Sequence, residues 1–206
     1  MTERWGATPE DWQAFLAIEG LRDDLWAMVC DPSVVVGTTK TEPGGYENQG
    51  ALAKVPSQVG SDGKAYRIPG WTKSNPTKSL LRQWQNDPGL GFGMVCRSVK
   101  GIDIDVDDKA LADEIDEHIA DFVGDWLPCR RRYGSPRRLL LYRLVDDEAR
   151  RKIVLHTEGG DIEWQMAGQF VALAGVHDSG NRMVWPDGYP QSLEEIPALT
   201  SSDLDE

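Results

Sequence analysis

The run Gly101-Ile102-Asp103-Ile104-Asp105-Val106-Asp107-Asp108 is the part of the chain best suited to chemistry. Side chains alternate across a β-strand. Ile102, Ile104 and Val106 therefore face one way, and Asp103, Asp105 and Asp107 face the other. Asp is a poor strand former, and like charges on one face repel. Asp103 and Asp105 lie about 6.8 Å apart along such a strand, at roughly 3.4 Å rise per residue. From that spacing both carboxylates can converge on divalent ions, and hard oxygen ligands suit Mg²⁺ or Mn²⁺. The competing reading is a solvated strand face beside an acidic helix. Asp107 and Asp108 are assigned mainly to starting that helix.

A second acidic strand follows in Gly159-Gly160-Asp161-Ile162-Glu163-Trp164-Gln165-Met166. Asp161, Glu163 and Gln165 share a face, and Ile162, Trp164 and Met166 share the core-facing one. Glu163 in mid-strand is costly unless it is compensated, which makes it either a third metal ligand or a surface carboxylate opposite a cationic neighbour; beside the Asp103/Asp105 pair the metal reading is favoured. Between the two strands stands Arg130-Arg131-Arg132-Tyr133-Gly134-Ser135-Pro136-Arg137-Arg138, a basic turn leading into the apolar Leu139-Leu140-Leu141. Arginine forks grip phosphate oxygens bidentately, and a serine hydroxyl adds a hydrogen bond. Ser135, Arg137 and Arg138 are therefore candidates for phosphate, with Arg130 and Arg132 behind them for triphosphate or template. A solvated basic loop is the alternative. Farther on, a strand ending in Ala174-Gly175-Val176 delivers His177 to a polar turn, where it could also meet phosphate.

These groups must be positioned by ordered elements. Thr8-Pro9-Glu10-Asp11 predicts a capped helix carrying Trp12, Phe15 and Leu16, interrupted near Gly20 before Leu25, Trp26 and Val29. Ser33–Val36 reads as a short buried strand. Residues 37–76 show no period and are too long for a passive connector. Thr77 predicts the cap of a second helix with Leu80, Leu81 and Trp84. Gly91–Val95 and Gly101–Val106 read as a hairpin, and 108–123 as a helix with Leu111, Ile115, Ile119 and Phe122 inward. Arg138–Leu144, then 161–166 paired with 169–173 around Gly168, and finally 181–185, complete the strands. The fold class expected is α+β, one domain over 1–198 around a mostly antiparallel sheet flanked by helices. An acidic tail or linker is expected over 199–206.

The chain has 206 residues and a net charge of −12. That excess of acid excludes bulk electrostatic coating of nucleic acid but permits a local basic channel. The charge is unevenly distributed, with residues 103–121 acidic and six arginines between 130 and 143. Cys30, Cys96 and Cys129 are widely spaced, which favours buried thiols over a zinc site or a disulfide framework. No apolar run is long enough to span a membrane, and the N-terminus lacks the pattern of a signal peptide. A cytoplasmic location is the expectation.

Taken together and in this order, these elements resemble the bifunctional DNA primase/polymerase domain of phages, prophages and plasmids, in the archaeo-eukaryotic primase superfamily. The resemblance runs from Lys54-Val55-Pro56-Ser57 to Trp185 and includes Gly70-Trp71-Thr72, the Asp103/Asp105 strand, Gly134-Ser135-Pro136-Arg137, Ile162-Glu163 and His177-Asp178-Ser179-Gly180. It implies an RNA-recognition-like sheet joined to a smaller αβ unit. It also implies Asp103, Asp105 and Glu163 as ligands of Mg²⁺ or Mn²⁺. A Ser-x-His nucleotide element falls on Ser135-Pro136-Arg137, with arginine replacing histidine, and His177 matches a histidine after a later strand. The implied partners are single-stranded DNA template, nucleoside triphosphates and a replicative helicase, separate or fused, in a bacterial or phage-host cytoplasm. Trp71 could stack on a base or anchor the core. The competing functions are a metal-dependent nuclease or phosphodiesterase, which would not need the Ser135/Arg137/Arg138 group, and a non-catalytic DNA-binding replication initiator, which would not need three convergent carboxylates.

Overall fold

The computed structural model describes residues 4–40, 47–49, 52–124, 127–146 and 151–205. In chain order the first elements are α1 (Pro9–Ala17), β1 (Leu25–Val29), the pair β2 (Thr38–Lys40) and β3 (Glu47–Gln49), and the pair β4 (Ser57–Val59) and β5 (Ala65–Arg67). Next come α2 (Lys78–Gln85), β6 (Leu90–Val95), β7 (Val99–Val106), α3 (Lys109–Val123), β8 (Cys129–Arg132) and β9 (Arg138–Leu144). The chain closes with β10 (Ile153–Thr157), β11 (Gly160–Gln165), β12 (Phe170–Ala174), β13 (Met183–Val184) and β14 (Ala198–Leu199). The architecture is mixed α+β with a large antiparallel sheet, as expected. The chain divides into two compact units: Met1–Gln13, Asp23–Val95 and Phe170–Met183, and Ala14–Arg22, Cys96–Gln169 and Val184–Glu206.

The first unit is built on the antiparallel order β1-β6-β12. Every residue of β1 and β6 is buried, which is why their sequences read as unbroken apolar runs rather than alternations. Gly93 lets β12 approach closely: a Cβ there would stand 2.2 Å from the Val171 carbonyl oxygen. The same continuity hid β1, since a short buried run does not by itself distinguish helix from strand. Leu25–Val29 is thus a strand, not a helical continuation. Ser33–Val36 is not a strand; only a single bridge links Val36 to Ala65, and Val35 is exposed. The irregular 37–76 segment contains two short hairpins, β2/β3 and β4/β5, with residues 41–46, 50 and 51 outside the described set. Trp71 takes the core role, buried and edge-on to Phe170 at 5.9 Å.

The second unit carries the larger sheet, in the order β10-β11-β7-β9-β8, with β14 running parallel along the end of β9. The two expected strand pairs are therefore corrected. β7 pairs with β11 and β9, whereas β6 pairs with β1 and β12, so neither β6/β7 nor β11/β12 is a hairpin. Strands β8 and β10 were not anticipated. Arginine-rich β8 looked like a turn, and β10 has no clean alternation, with His156 exposed and Leu155 49% exposed.

Helix α3 follows β7 directly. Asp108 caps it, accepting from the Ala110 and Leu111 amides at 2.8 and 3.1 Å, and Gly124 ends it in the left-handed region at φ 70°. Leu111, Ile115, Ile119 and Val123 pack with buried Ile102, Ile104, Val106, Leu140 and Ile162. Val123, one turn beyond Ile119, fills the place expected for Phe122, which is 49% exposed. Burying each large aliphatic side chain contributes roughly 1.5–3 kcal/mol, enough together to hold a strand whose other face is charged. The tail is fastened rather than loose. Asp146 accepts from the Ser201 amide at 2.7 Å, and Leu204 packs on the same core.

Arg138 belongs to this helix face. It lies opposite Ile104 in the β7/β9 register, is 1% exposed, and donates to Asp116 at 2.5 Å and Asp113 at 2.7 Å on α3. Removing one partner of a buried ion pair leaves the other charge uncompensated. Arg138→Gln should therefore destabilise the protein by roughly 2–4 kcal/mol, measured by denaturant unfolding. Contacts to Lys109 and Arg138 hold the Asp113 carboxyl down at about 2 from an ordinary 3.8. A depressed carboxylate stabilises above its unfolded value and loses that contribution as pH falls through its folded value. Wild-type stability should accordingly drop between about pH 4 and 2, and an Asp113→Asn variant should show a shallower drop.

Candidate active site

The opposite face of the same sheet collects the carboxylates. In the β7/β11 register Asp103 stands directly across from Glu163, and Asp105 across from Asp161. Directly opposed residues project to one face with Cβ atoms about 4.5–5.5 Å apart. The arrangement depends on β11 beginning immediately alongside β7. Gly160 permits this: its φ is +142°, and a Cβ there would lie 2.2 Å from the Asp105 carbonyl oxygen. Ile162 and Trp164 turn into the core, leaving Asp161, Glu163 and Gln165 outward.

Asp103 is the most constrained of the group. Its Oδ1 is shut off from solvent and has no hydrogen-bond partner. Burial raises its carboxyl pKa; nearby Arg130 and Arg132 pull it back, while Asp105 and Glu163 push it up further. Glu163 is held by Lys152 at 2.6 Å and by the Gln165 side-chain amide at 2.7 Å. Asp161 contacts His156 at 2.8 Å.

Strand parity divides the arginines. Across β8 and β9, Arg130 pairs with Leu139, the residue opposite Asp103, so Arg130 and Arg132 project to the carboxylate face. Arg132 comes within 3.8 Å of Asp105, and its Nε is buried without a hydrogen-bond partner. Arg131 projects to the helix face and reaches Asp116 at 3.6 Å. Arg137, just before β9, donates to Asp105 at 2.6 Å and grips both oxygens of Asp107 at 2.7 and 2.8 Å. The turn that presents it passes through Gly134 at φ 73°, and Ser135 Oγ accepts from the Arg137 amide at 3.3 Å.

The structure thus brings together Asp103, Asp105, Glu163, Arg130, Arg132 and Arg137, with Ser135 supporting the turn. Arg138 is on the other face. His177 lies in the first unit, 9% exposed, with Nδ1 3.0 Å from Ser179 Oγ and 2.7 Å from an Asp178 oxygen. Two residues of the site were not singled out from sequence. Asp107 had been given to helix initiation, although strict alternation already put it on the face of Asp103 and Asp105. Lys152 depended on β10, which left no readable pattern.

Among the described residues, no three His, Cys, Asp or Glu side chains are gathered closely enough to hold a metal ion as they stand. The donor set nonetheless fits a hard divalent cation. An orphaned, buried carboxylate oxygen on Asp103 faces a second carboxylate across one strand pair, next to a third on the same strand. The cations of Arg137 and Lys152 take up the other two. No helix among the described residues is long and apolar enough to cross a membrane.

A carboxylate whose pKa burial has raised costs stability above that pKa, and the cost vanishes below the ordinary value of 3.8, where the group is neutral both folded and unfolded. Asp103→Asn should therefore raise the melting temperature of the metal-free protein at neutral pH. The gain should fade as pH is lowered toward 4. A scanning-calorimetry series from pH 7 to 4 that shows no gain, or a constant one, contradicts the assignment.

The family model described as bifunctional DNA primase/polymerase, N-terminal, matches residues 51–199, a span containing every carboxylate and arginine of the site. A search of curated proteins gives no match.

Proposed function

Because the chain belongs to the bifunctional DNA primase/polymerase family, we propose that it performs template-directed nucleotidyl transfer on single-stranded DNA, making or extending primers from nucleoside triphosphates. The observation that carries this reading is the pairing, on one sheet face, of three carboxylates from β7 and β11 with arginines from β8 and the turn after it. Asp103, Asp105 and Glu163 would hold two divalent ions, Mg²⁺ or Mn²⁺. Such ions, when bound, lower the pKa of an attacking hydroxyl and neutralise charge developing on a transferring phosphoryl group.

The chain's own residues do the rest by position. Isoleucines on the reverse of β7 fix the carboxylates against a packed core, so they do not have to be ordered at the moment of reaction. Arg137 and Arg132 offer guanidinium forks beside Asp105, suited to phosphate oxygens of the incoming nucleotide. Ser135 shapes the turn that holds Arg137. Arg130, under Asp103, tempers the charge of the carboxylate face. Arg138 serves stability, through α3, rather than phosphate. A replicative helicase, fused or separate, is the partner such an activity would use.

The arginines favour polymerase over the simple diesterase reading, since hydrolysis of one diester needs no grip on a triphosphate. A primer-synthesis assay on single-stranded DNA with labelled ribo- or deoxyribonucleotides and Mg²⁺ or Mn²⁺ tests this. Wild-type protein should yield templated products. Asp103→Asn, Asp105→Asn and Glu163→Gln should each lower the rate by at least about 10²-fold while remaining folded by circular dichroism. Metal-dependent cleavage of the template without incorporation would favour the nuclease.

A further inference from the structure

The Arg137 side chain makes more bonds than a phosphate-binding group waiting for a ligand would need. Its Nε and one terminal nitrogen close a bidentate fork on Asp107, at 2.7 and 2.8 Å. The remaining terminal nitrogen lies 2.6 Å from Asp105 Oδ1, the oxygen that Arg132 also approaches at 3.8 Å. One guanidinium thus spans Asp105 of β7 and Asp107 just beyond its end, two residues apart. The two contacts are not equivalent. A fork on Asp107 satisfies both of that carboxylate's oxygens, whereas Asp105 is held by a single bond from this side chain. Asp107 is 72% exposed by side chain; the paired register ends at Val106, and the Asp107 amide donates to the carbonyl of Gly159, a residue with no side chain.

Resting on the metal reading of Asp105 given above, we propose that Arg137 is an exchangeable counter-ion of Asp105 and that Asp107 is a positioning residue that retains it during the exchange. In the metal-free protein Arg137 neutralises Asp105. A divalent ion taken up by Asp105 displaces only the single bond, because two like charges cannot share that oxygen closely. The fork on Asp107 keeps the guanidinium within one strand repeat of the metal carboxylates. The freed N–H would then be available to phosphate oxygens of an incoming nucleotide. Metal loading and nucleotide binding become coupled through one side chain, without movement of the backbone.

The test uses the full chain and begins without nucleotide. Mn²⁺ affinity is measured by the electron paramagnetic resonance signal of free Mn²⁺ for wild type, Arg137→Gln and Arg137→Lys. Loss of Mn²⁺ binding in Asp103→Asn checks that the ion sits at the carboxylates; if wild type binds no Mn²⁺, or Asp103→Asn binds it as well, the metal reading itself fails. Given that site, Arg137→Gln should bind Mn²⁺ about three- to tenfold more tightly. Arg137→Lys keeps the charge but loses the fork, and should also bind more tightly than wild type. Lysine at wild-type affinity, with only glutamine tighter, would reduce Arg137 to bulk charge and overturn the exchange, as would no change in either variant. For Asp107, the Asn variant should raise the nucleotide KM about three- to tenfold with kcat within about twofold, and Asp107→Glu should recover part of the loss. A change in kcat alone, or in neither constant, removes Asp107 from the role.

Discussion

Alternation along a single β-strand is the constraint on which this molecule depends. β7 has eight residues with the core on one side and charge on the other. Ile102, Ile104 and Val106 bury completely under α3, and that burial fixes Asp103 and Asp105 on the reverse face whatever those carboxylates cost. A register slip of one residue would bury both aspartates under the helix and expose the isoleucines. The hydrophobic face thus sets the register, and the register sets the chemistry. The orphaned Asp103 oxygen is the local cost of that arrangement, of the kind that a bound ion relieves.

The same parity rule gives the clustered arginines two separate tasks. Arg131 and Arg138 meet the acidic turn of α3, where Asp113 and Asp116 neutralise them and tie helix to sheet. Arg130, Arg132 and Arg137 meet the carboxylates of β7. Neighbours in sequence therefore act on opposite sides of the sheet, one set for stability and the other beside the site. Charge reversal on α3 would be felt through Arg138 as lost stability, whereas charge reversal on β7 would be felt at the site.

Much of this was readable beforehand, for identifiable reasons. The carboxylate faces of β7 and β11 follow from period-two alternation, and the capped starts of α1, α2 and α3 from Thr8, Thr77 and Asp108. Strand partnership was not readable. β6 and β7 are adjacent in sequence, yet they belong to different sheets, and nothing local distinguishes that from a hairpin. β1 was hidden because a wholly buried strand has no period, and β8 because arginines disguise a strand that is half site and half helix contact. Arg138 looked equivalent to Arg137 until the register with Ile104 placed it on the other face. Asp107 was set aside as a helix starter, a role that Asp108 alone fills.

The balance of charge on the site face explains why a protein of net charge −12 can still work on a polyanion. Asp103, Asp105, Asp107, Asp161 and Glu163 supply five negative charges there, and Arg130, Arg132, Arg137 and Lys152 supply four positive ones. The face is close to neutral, with its cations already engaged, so it offers an incoming phosphate little net attraction. On the two-metal reading proposed above, each divalent ion taking the place of an engaged cation at a carboxylate would add two charges and free that cation. The face would then turn positive only when loaded, and affinity for nucleotide would depend on the metal rather than on the protein's overall charge.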